Sequence, residues 1–75
     1  MQEYILNGVN YPEWFIDLDK KGKILYNRDS YNRLISVRIT DDYNKKHTAN
    51  VGDLILYYNG MIAVVSKDLM KGHIV

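Results

Sequence analysis

The dipeptide Asn59-Gly60 lies between two apolar runs and constrains the fold more than any other feature. The runs are residues 54–58 and residues 61–65, both rich in β-branched and aromatic side chains. A two-residue turn of type I′ needs φ > 0 at both central positions, which glycine adopts freely and asparagine more readily than most residues. The sequence therefore predicts a β-hairpin in a fixed register. The last residue of the first run faces the first residue of the second, and the pairing continues outward.

Alternation along this hairpin predicts two apolar faces, because successive side chains of a strand point to opposite sides. One face carries Leu54, Leu56, Tyr58, Met61, Ala63 and Val65. The other face carries Ile55, Tyr57, Ile62 and Val64. A hairpin that is apolar on both faces is either covered on both sides or leaves one side for a partner. Tyr57 and Tyr58 point in opposite directions, so both cannot belong to one core.

Length and composition indicate a single small domain spanning residues 1–75, with 47% hydrophobic and 25% charged residues. The net charge of +1 disfavours a strongly basic nucleic-acid binder. Without cysteine there is no disulfide, thiolate metal site or cysteine nucleophile. No apolar run reaches the ~20 residues of a membrane span, and no signal peptide is recognisable. We expect a soluble cytoplasmic monomer or small homo-oligomer that makes no membrane contact.

The rest of the chain divides into short elements separated by turn residues. Strand patterns occupy residues 2–6, 23–27, 33–40 and 45–50. In the longest strand we expect Ile35, Val37 and Ile39 to face the core. The polar residues 41–44 predict a turn, and no internal repeat is visible. After the hairpin, Ser66 predicts the N-cap of a single helical turn at 68–71, followed by a last strand at 73–75.

Residues 11–21 predict the one substantial helix. Pro12 suits the first helical position, where its missing N–H and fixed φ cost nothing, and Gly22 suits the left-handed stop. The helix presents one apolar stripe formed by Trp14, Phe15 and Leu18. A helix this short is marginal alone, so the stripe must dock on the sheet. The predicted fold is α+β: a small curled antiparallel β-sheet, or an SH3-like partial barrel of about five strands, with one short helix packed on it.

No pattern in the sequence specifies a reaction. His47 and His73 lack the spacing of a metal site, which favours ordinary surface or edge histidines. The acidic pairs Asp41-Asp42 and Asp17-Asp19 could bind a cation or exchange protons, but a turn and a solvated helix face explain them more simply. The glycines fall singly at turns and not in a phosphate-binding loop. We therefore predict no enzyme activity, no catalytic or metal-binding residue and no cofactor.

Several short motifs occur in an order that resembles a known family. They are P-E-W-F at 12–15, G-K-I at 22–24, I-S-V-R-I-T at 35–40, T-A-N-V-G-D-L-I-L at 48–56, the hairpin glycine and K-D-L-M at 67–70. The series resembles uncharacterised small proteins of tailed phages and prophages of Gram-positive bacteria, which combine a P-x-W-F helix with a G-D-x-I-I strand. The chain departs from that family at 67–70, where the family has K-P-D-x-F.

The resemblance implies structural roles and an origin, not an activity. It makes Trp14 and Phe15 core residues, Gly52 part of a turn and Gly60 part of the hairpin. It also implies a phage accessory protein acting in the cytoplasm of a bacterial host, where proteins of this size often block a host enzyme or an anti-phage defence complex.

Protein binding is the function that the residues favour. Tyrosine occurs seven times, and tyrosine provides large, rigid contact area with a polar tip, although an AT-rich genome would also explain the bias. Interface hot spots are enriched in tyrosine, tryptophan and arginine. We predict a protein-binding module that inhibits or modulates a host protein. The predicted contact residues are Tyr57, Tyr58, Tyr43 and Arg38.

Two alternatives remain open at this point. The first is a nucleic-acid-binding small β-barrel, in which cations line one edge and an aromatic ring stacks on bases. Its residues would be Arg28, Arg33, Lys45, Lys46 and Tyr26. The second alternative is a self-assembling phage protein, in which an unprotected edge strand such as residues 23–27 pairs with its copy.

Overall fold

The computed structural model describes residues 1–72, and the predicted last strand at 73–75 lies outside this range. The elements are β1 (Gln2–Ile5), α1 (Glu13–Lys20), β2 (Ile24–Arg28), β3 (Leu34–Thr40), β4 (Lys46–Asn50), β5 (Leu54–Tyr58), β6 (Met61–Val65) and α2 (Lys67–Gly72). The strands form two antiparallel three-stranded sheets, with orders β1-β5-β6 and β2-β3-β4. Neither helix within residues 1–72 is long and apolar enough to cross a membrane.

The mostly β architecture with a packed helix agrees with the sequence prediction, but the strand arrangement differs. We expected about five strands in one curled sheet or partial barrel. The described residues form six strands divided between two sheets, because β5 pairs with β1 and not with β4. Turn residues indicate which neighbouring strands form hairpins. They do not indicate that the first strand returns to pair with the fifth.

The central hairpin forms in the predicted register. Tyr58 pairs with Met61, and the pairing continues to Leu54 opposite Val65. Asn59 and Gly60 have φ values of 49° and 78°, as a type I′ turn requires. The two faces of this hairpin differ in burial.

The inner face of the hairpin joins the core and the outer face does not. Ile55 and Ile62 are buried on the inner face, whereas Tyr58 and Met61 are exposed on the outer face. The core also contains side chains from α1, β1 and the second sheet: Tyr4, Leu6, Phe15, Leu18, Ile24, Val37, Ile39 and Ala49. The predicted two-sided apolar hairpin therefore leaves one side uncovered within the described chain.

Helix α1 docks on the core through the predicted stripe. Phe15 and Leu18 are buried, and the Trp14 indole stacks on the ring of Tyr57 with centroids 5.0 Å apart. The helix begins at Glu13, two residues later than expected, because Pro12 occupies the N-cap position with extended backbone; Pro12 provides no side-chain cap. It ends at Lys20, and the predicted left-handed glycine, Gly22, follows the C-cap Lys21 with a φ of 74°.

One predicted core residue of β3 is exposed. Val37 and Ile39 are buried as expected, but Ile35 is 43% exposed. The pairing of β2 with β3 shifts where Asn27 faces Ser36 and Arg28 faces Leu34. This bulge inserts Ile35 as an extra residue, so the alternation is interrupted and Leu34 packs against the core in its place.

The turns between β2 and β3 and between β3 and β4 are built alike. Their sequences are D-S-Y-N-R at 29–33 and D-D-Y-N-K at 41–45, a short repeat that we did not expect. In each turn the aspartate carboxylate accepts hydrogen bonds from the backbone N–H groups two and four residues later. The asparagine of each turn has a φ of 63°. Both aspartates therefore act as local acceptors that organise a tight connection.

The connection from β4 to β5 is held by Asp53, which is buried. Its carboxylate accepts hydrogen bonds from the backbone N–H of Asn50 at 2.8 Å and of Lys67 at 3.0 Å. Gly52, with a φ of 99°, completes the turn. A Cβ at this glycine would lie 2.9 Å from the Lys67 side chain. Asp53 thus joins the β4–β5 turn to the first residue of α2.

Candidate protein-binding surface

The tip of the β5–β6 hairpin is held against the turn between β3 and β4. The backbone N–H of Asp42 donates to the carbonyl oxygen of Gly60 at 3.0 Å, and the Tyr43 hydroxyl donates to the carbonyl oxygen of Asn59 at 3.4 Å. Asp42 also pairs with Lys23 across a distance of 2.8 Å. The tip of the first sheet is therefore fixed against the second sheet by hydrogen bonds as well as by the core.

Three large side chains are exposed around this tip, and we call them the hairpin-tip surface: Tyr43, Tyr58 and Met61. Their exposed fractions are 61%, 50% and 48%. Tyr58 and Met61 are opposite each other across the hairpin, and Tyr43 reaches the tip from the neighbouring turn. Met61 lies between two hollows, because its side chain lines both.

The first hollow lies on the outer face of the β1-β5-β6 sheet. It has a volume of about 240 Å³ and is lined by Met1, Leu56, Tyr58, Met61, Ile62 and Ala63. All six lining residues are apolar or aromatic. On β1 the same face carries Ile5, which is paired with Leu54 and 53% exposed, and the exposed Glu3, which is paired with Leu56.

The second hollow is a groove between β6 and the chain entering β4. It has a volume of about 330 Å³ and is lined by Asp41, Tyr43, Lys45, His47, Met61 and Ile62. Unlike the first hollow, it combines an apolar floor with titratable groups. The two hollows differ in chemistry although they share Met61 and Ile62.

Asp41 is the buried polar group of the groove, only 3% exposed. Its Oδ1 accepts the backbone N–H groups of Tyr43 and Lys45, and its Oδ2 lies 2.9 Å from Nε2 of His47. The hydrogen bond from His47, together with those from the two backbone N–H groups, holds the pKa of Asp41 below its usual value despite burial. The carboxylate is almost completely enclosed and accepts three hydrogen bonds from the protein, so it acts as a structural acceptor.

The four predicted contact residues lie in different places. Tyr43 and Tyr58 meet at the hairpin-tip surface. Tyr57 is half-buried on the inner face, where it stacks on Trp14. Arg38 is exposed in the middle of β3, in a hollow of the second sheet that also includes Leu25 and Thr48. The structure therefore brings together two of the four.

The predicted nucleic-acid residues also separate into two groups. Arg28 and Arg33 flank the β2–β3 turn, whereas Lys45 and Lys46 lie at the other end of β3. A seven-residue strand spans roughly 20 Å, so the two groups do not form one patch. Arg33 is paired with Asp29 at 2.9 Å, which reduces the charge it offers to a phosphate.

Tyr26, the predicted stacking residue, is half-buried and already in contact with other side chains. Its ring meets Tyr11 edge-on at 6.4 Å, and the Arg28 guanidinium lies 5.7 Å from its centroid. Burial, with a smaller contribution from the negative charge of Asp19, raises the pKa of Tyr26 to about 12. Four of the seven tyrosines belong to the core or pack against it: Tyr4, Tyr11, Tyr26 and Tyr57.

Sequence reasoning missed Met61 and His47 as site residues. The signal for Met61 was present, because alternation places it on the same face as Tyr58. His47 gave no signal, since its contact with Asp41 depends on the turn geometry. Within residues 1–72, no three histidine or acidic side chains are close enough to hold a metal ion.

The fold and the site define the class of this protein: a small, mostly β domain that displays aromatic and methionine side chains at a fixed hairpin tip. Comparison of the chain with family models, curated proteins and solved structures finds no match.

Proposed function

We propose that this protein is a protein-binding module that contacts its partner through the hairpin-tip surface. The observation that carries the proposal is the exposure of Tyr43, Tyr58 and Met61 together at one end of the molecule. Aromatic residues and methionine are enriched at protein interfaces, and tyrosine is a frequent hot-spot residue. A residue of this kind placed on a rigid tip loses little conformational entropy on binding.

The occupant we propose for the outer face is an apolar segment of a partner protein. The first hollow is lined entirely by apolar and aromatic residues, so a charged group buried within it would lose hydration. Met1, Leu56 and Ala63 provide the floor of this contact, and Tyr58 provides its rim.

The resemblance of the motif order from P-E-W-F at 12–15 to the hairpin glycine, Gly60, supports a more specific setting. We propose a phage-encoded accessory protein that acts in the cytoplasm of a bacterial host and inhibits or modulates a host protein or an anti-phage defence complex. The partner is then a host protein, and the phage protein functions by occupying its surface. No cofactor is part of this proposal.

Nucleic-acid binding has less support because the proposed cations lie at opposite ends of β3 and Arg33 is paired with Asp29. The sheet topology supports self-assembly through an edge strand as an alternative, since β1 and β2 are edge strands of their sheets. Neither alternative uses the exposed side chains at the tip.

The test is affinity capture from a nuclease-treated lysate of a Gram-positive host, using the wild-type chain and two variants. Tyr58→Ser removes the rim of the first hollow. Tyr31→Ser is the matched control, because Tyr31 is 79% exposed and belongs to the β2–β3 turn, away from the hairpin tip. Circular dichroism checks that all three proteins are folded.

We expect a host protein to be retained by wild type and by Tyr31→Ser, and its affinity to fall by about tenfold or more with Tyr58→Ser. Equal retention by all three proteins contradicts the proposed surface. A sample that retains nothing, or only nuclease-sensitive material, contradicts the protein-binding function itself.

A further inference from the structure

The imidazole of His47 offers a hydrogen-bond acceptor to an occupant of the groove beside Met61. Asp41 is ionised at neutral pH, because its hydrogen bonds hold its pKa below the usual value, and an ionised carboxylate only accepts. The hydrogen in its contact with His47 is therefore carried by Nε2, which leaves Nδ1 as the acceptor of a neutral ring. Within residues 1–72 no buried side-chain nitrogen or oxygen lacks a partner, so the unpartnered Nδ1 is accessible.

The other polar groups of the lining also favour a neutral hydrogen-bond donor. The Tyr43 hydroxyl donates its hydrogen to the Asn59 carbonyl oxygen, which leaves the hydroxyl oxygen as a second acceptor. The buried carboxylate of Asp41 and the exposed ammonium of Lys45 carry opposite charges, so the lining has no net preference for a charged occupant. A cationic donor is repelled by Lys45, and an anion brings acceptors to acceptors.

The floor and size of the groove favour a large apolar body on that donor. Met61 and the buried Ile62 form the floor, and the volume is about 330 Å³. A methionine sulfur makes favourable contacts with aromatic rings. Among the neutral donor side chains, tryptophan combines the largest apolar ring with an N–H group that donates and never accepts.

We propose that this groove binds a tryptophan side chain of the partner, whose indole N–H donates to Nδ1 of His47 while the ring packs on Met61 and Ile62. The inference rests on the proposed function and adds to it one anchor of the partner segment. The groove and the first hollow share Met61 and Ile62, so a single segment that covers the outer face reaches the groove with its next side chain.

The direct test is an NMR titration of the isotopically labelled protein at pH 8, where histidine side chains are ordinarily neutral. The probes are acetyl-Gly-Trp-Gly-amide, the same peptide with 1-methyltryptophan, and acetyl-Gly-Lys-Gly-amide. We expect the tryptophan peptide to shift the signals of His47, Met61 and Ile62. It should saturate at about fivefold lower concentration than the methylated peptide, which lacks the N–H donor. The lysine peptide should leave these signals unchanged.

A variant of His47 tests the proposed acceptor. His47→Phe keeps an aromatic ring without a nitrogen, so the tryptophan and methyltryptophan peptides should bind it equally. Tyr31→Phe is the matched control, because it removes a polar atom from an exposed ring outside the groove and should keep the fivefold difference. Since His47→Phe also removes a contact of Asp41, circular dichroism checks its fold, and the wild-type titration is decisive by itself if the variant unfolds.

Four results would overturn the inference. They are equal saturation of wild type by the two tryptophan peptides, tighter binding of the lysine peptide, shifts confined to another surface, and a fivefold difference that persists in folded His47→Phe.

The same variant separates this inference from the proposed function. A host protein that depends on Tyr58 but is retained equally by wild type and folded His47→Phe supports the protein-binding surface and contradicts the tryptophan groove. A lysate that yields no partner contradicts the proposed function. The peptide titration needs no host protein and still decides whether the groove selects the indole N–H.

Discussion

Gly60 at the hairpin tip lies directly against Asp42 of the neighbouring turn. A Cβ built on Gly60 would be 2.5 Å from Oδ2 of Asp42 and 2.9 Å from its Cβ. The same two residues are joined by the hydrogen bond from the Asp42 N–H to the Gly60 carbonyl oxygen. This close backbone approach positions the hairpin-tip surface, and it is possible because residue 60 has no side chain.

Replacement of Gly60 by alanine is expected to destabilise the fold strongly. The variant combines a φ of 78° with a collision against Asp42, and together these cost about 3 kcal/mol. Gly22→Ala is the control, because Gly22 has a φ of 74° but nothing within 4 Å of the added Cβ, so only about 1 kcal/mol is lost. Urea unfolding of both variants measures the difference. Equal losses would show that the contact with Asp42 adds nothing.

Stability in acid is expected to depend on Asp41. Its pKa is lowered in the folded chain, chiefly by the hydrogen bond from His47, so the folded state binds a proton there less readily than the unfolded state does. The stabilisation is therefore present above the unfolded pKa of about 3.8 and lost as pH falls through the lower folded value.

The measurement is the free energy of unfolding from pH 6 down to pH 2, for wild type and Asp41→Asn. The variant should be less stable at pH 6, and the difference should shrink in acid, because the amide has no proton to gain. Part of the acid dependence should persist in the variant, since Asp29 also has a lowered pKa from the backbone N–H of Arg33. Parallel curves for the two proteins would contradict the role of Asp41.

Removal of the Asp53 carboxylate is expected to cost about 2–3 kcal/mol, because Asp53→Ala leaves the backbone N–H groups of Asn50 and Lys67 without their acceptor. Asp68→Ala serves for comparison. Asp68 is exposed in the first turn of α2, where its charge contributes about 0.5 kcal/mol or less. Thermal unfolding distinguishes the two, and an equally small effect of both substitutions would show that the Asp53 contacts are replaced by water.

The stacking of Trp14 on Tyr57 is expected to contribute measurably to stability. Trp14→Ala removes a half-buried ring that packs at 5.0 Å on its neighbour, a loss of about 2 kcal/mol. Ile16→Ala on the same helix should change stability by less than about 0.5 kcal/mol, because Ile16 is 40% exposed and alanine is a good helix former. The two losses of stability are measured by denaturant unfolding. Circular dichroism follows the unfolding of both variants, and tryptophan fluorescence follows that of Ile16→Ala, which keeps Trp14. Similar losses for the two would assign the effect to the helix and not to the stacked pair.

The candidate site was only partly accessible to sequence reasoning. Alternation from the Asn59-Gly60 turn places Tyr58 and Met61 on one face and Tyr57 on the other, and the observed pairing follows it. Which face is the core cannot be derived from the hairpin alone, because both faces are apolar. The docking of Trp14 on Tyr57 makes the face that carries Tyr57 the core face.

The repeated D-x-Y-N-[RK] turn was visible in the sequence and was overlooked. Its two copies, at 29–33 and 41–45, have the same hydrogen bonds and the same positive φ at asparagine. Their surroundings differ. The first aspartate pairs with an exposed arginine, while the second is buried beside His47. Local sequence specified the conformation of both turns. Only the turn at 41–45 belongs to the candidate site, because it contacts the hairpin tip.

The sequence by itself determined the local elements: the hairpin and its register, the helix with its apolar stripe, the glycine that ends it and the Asx-type turns. These depend on interactions among residues close in the chain, for which residue type fixes the favoured backbone angles. Tertiary structure decided the pairing of β5 with β1, the bulge that exposes Ile35 and the separation of Arg28 from Lys45. These depend on how distant segments fill one core, and many arrangements satisfy the same local preferences equally well.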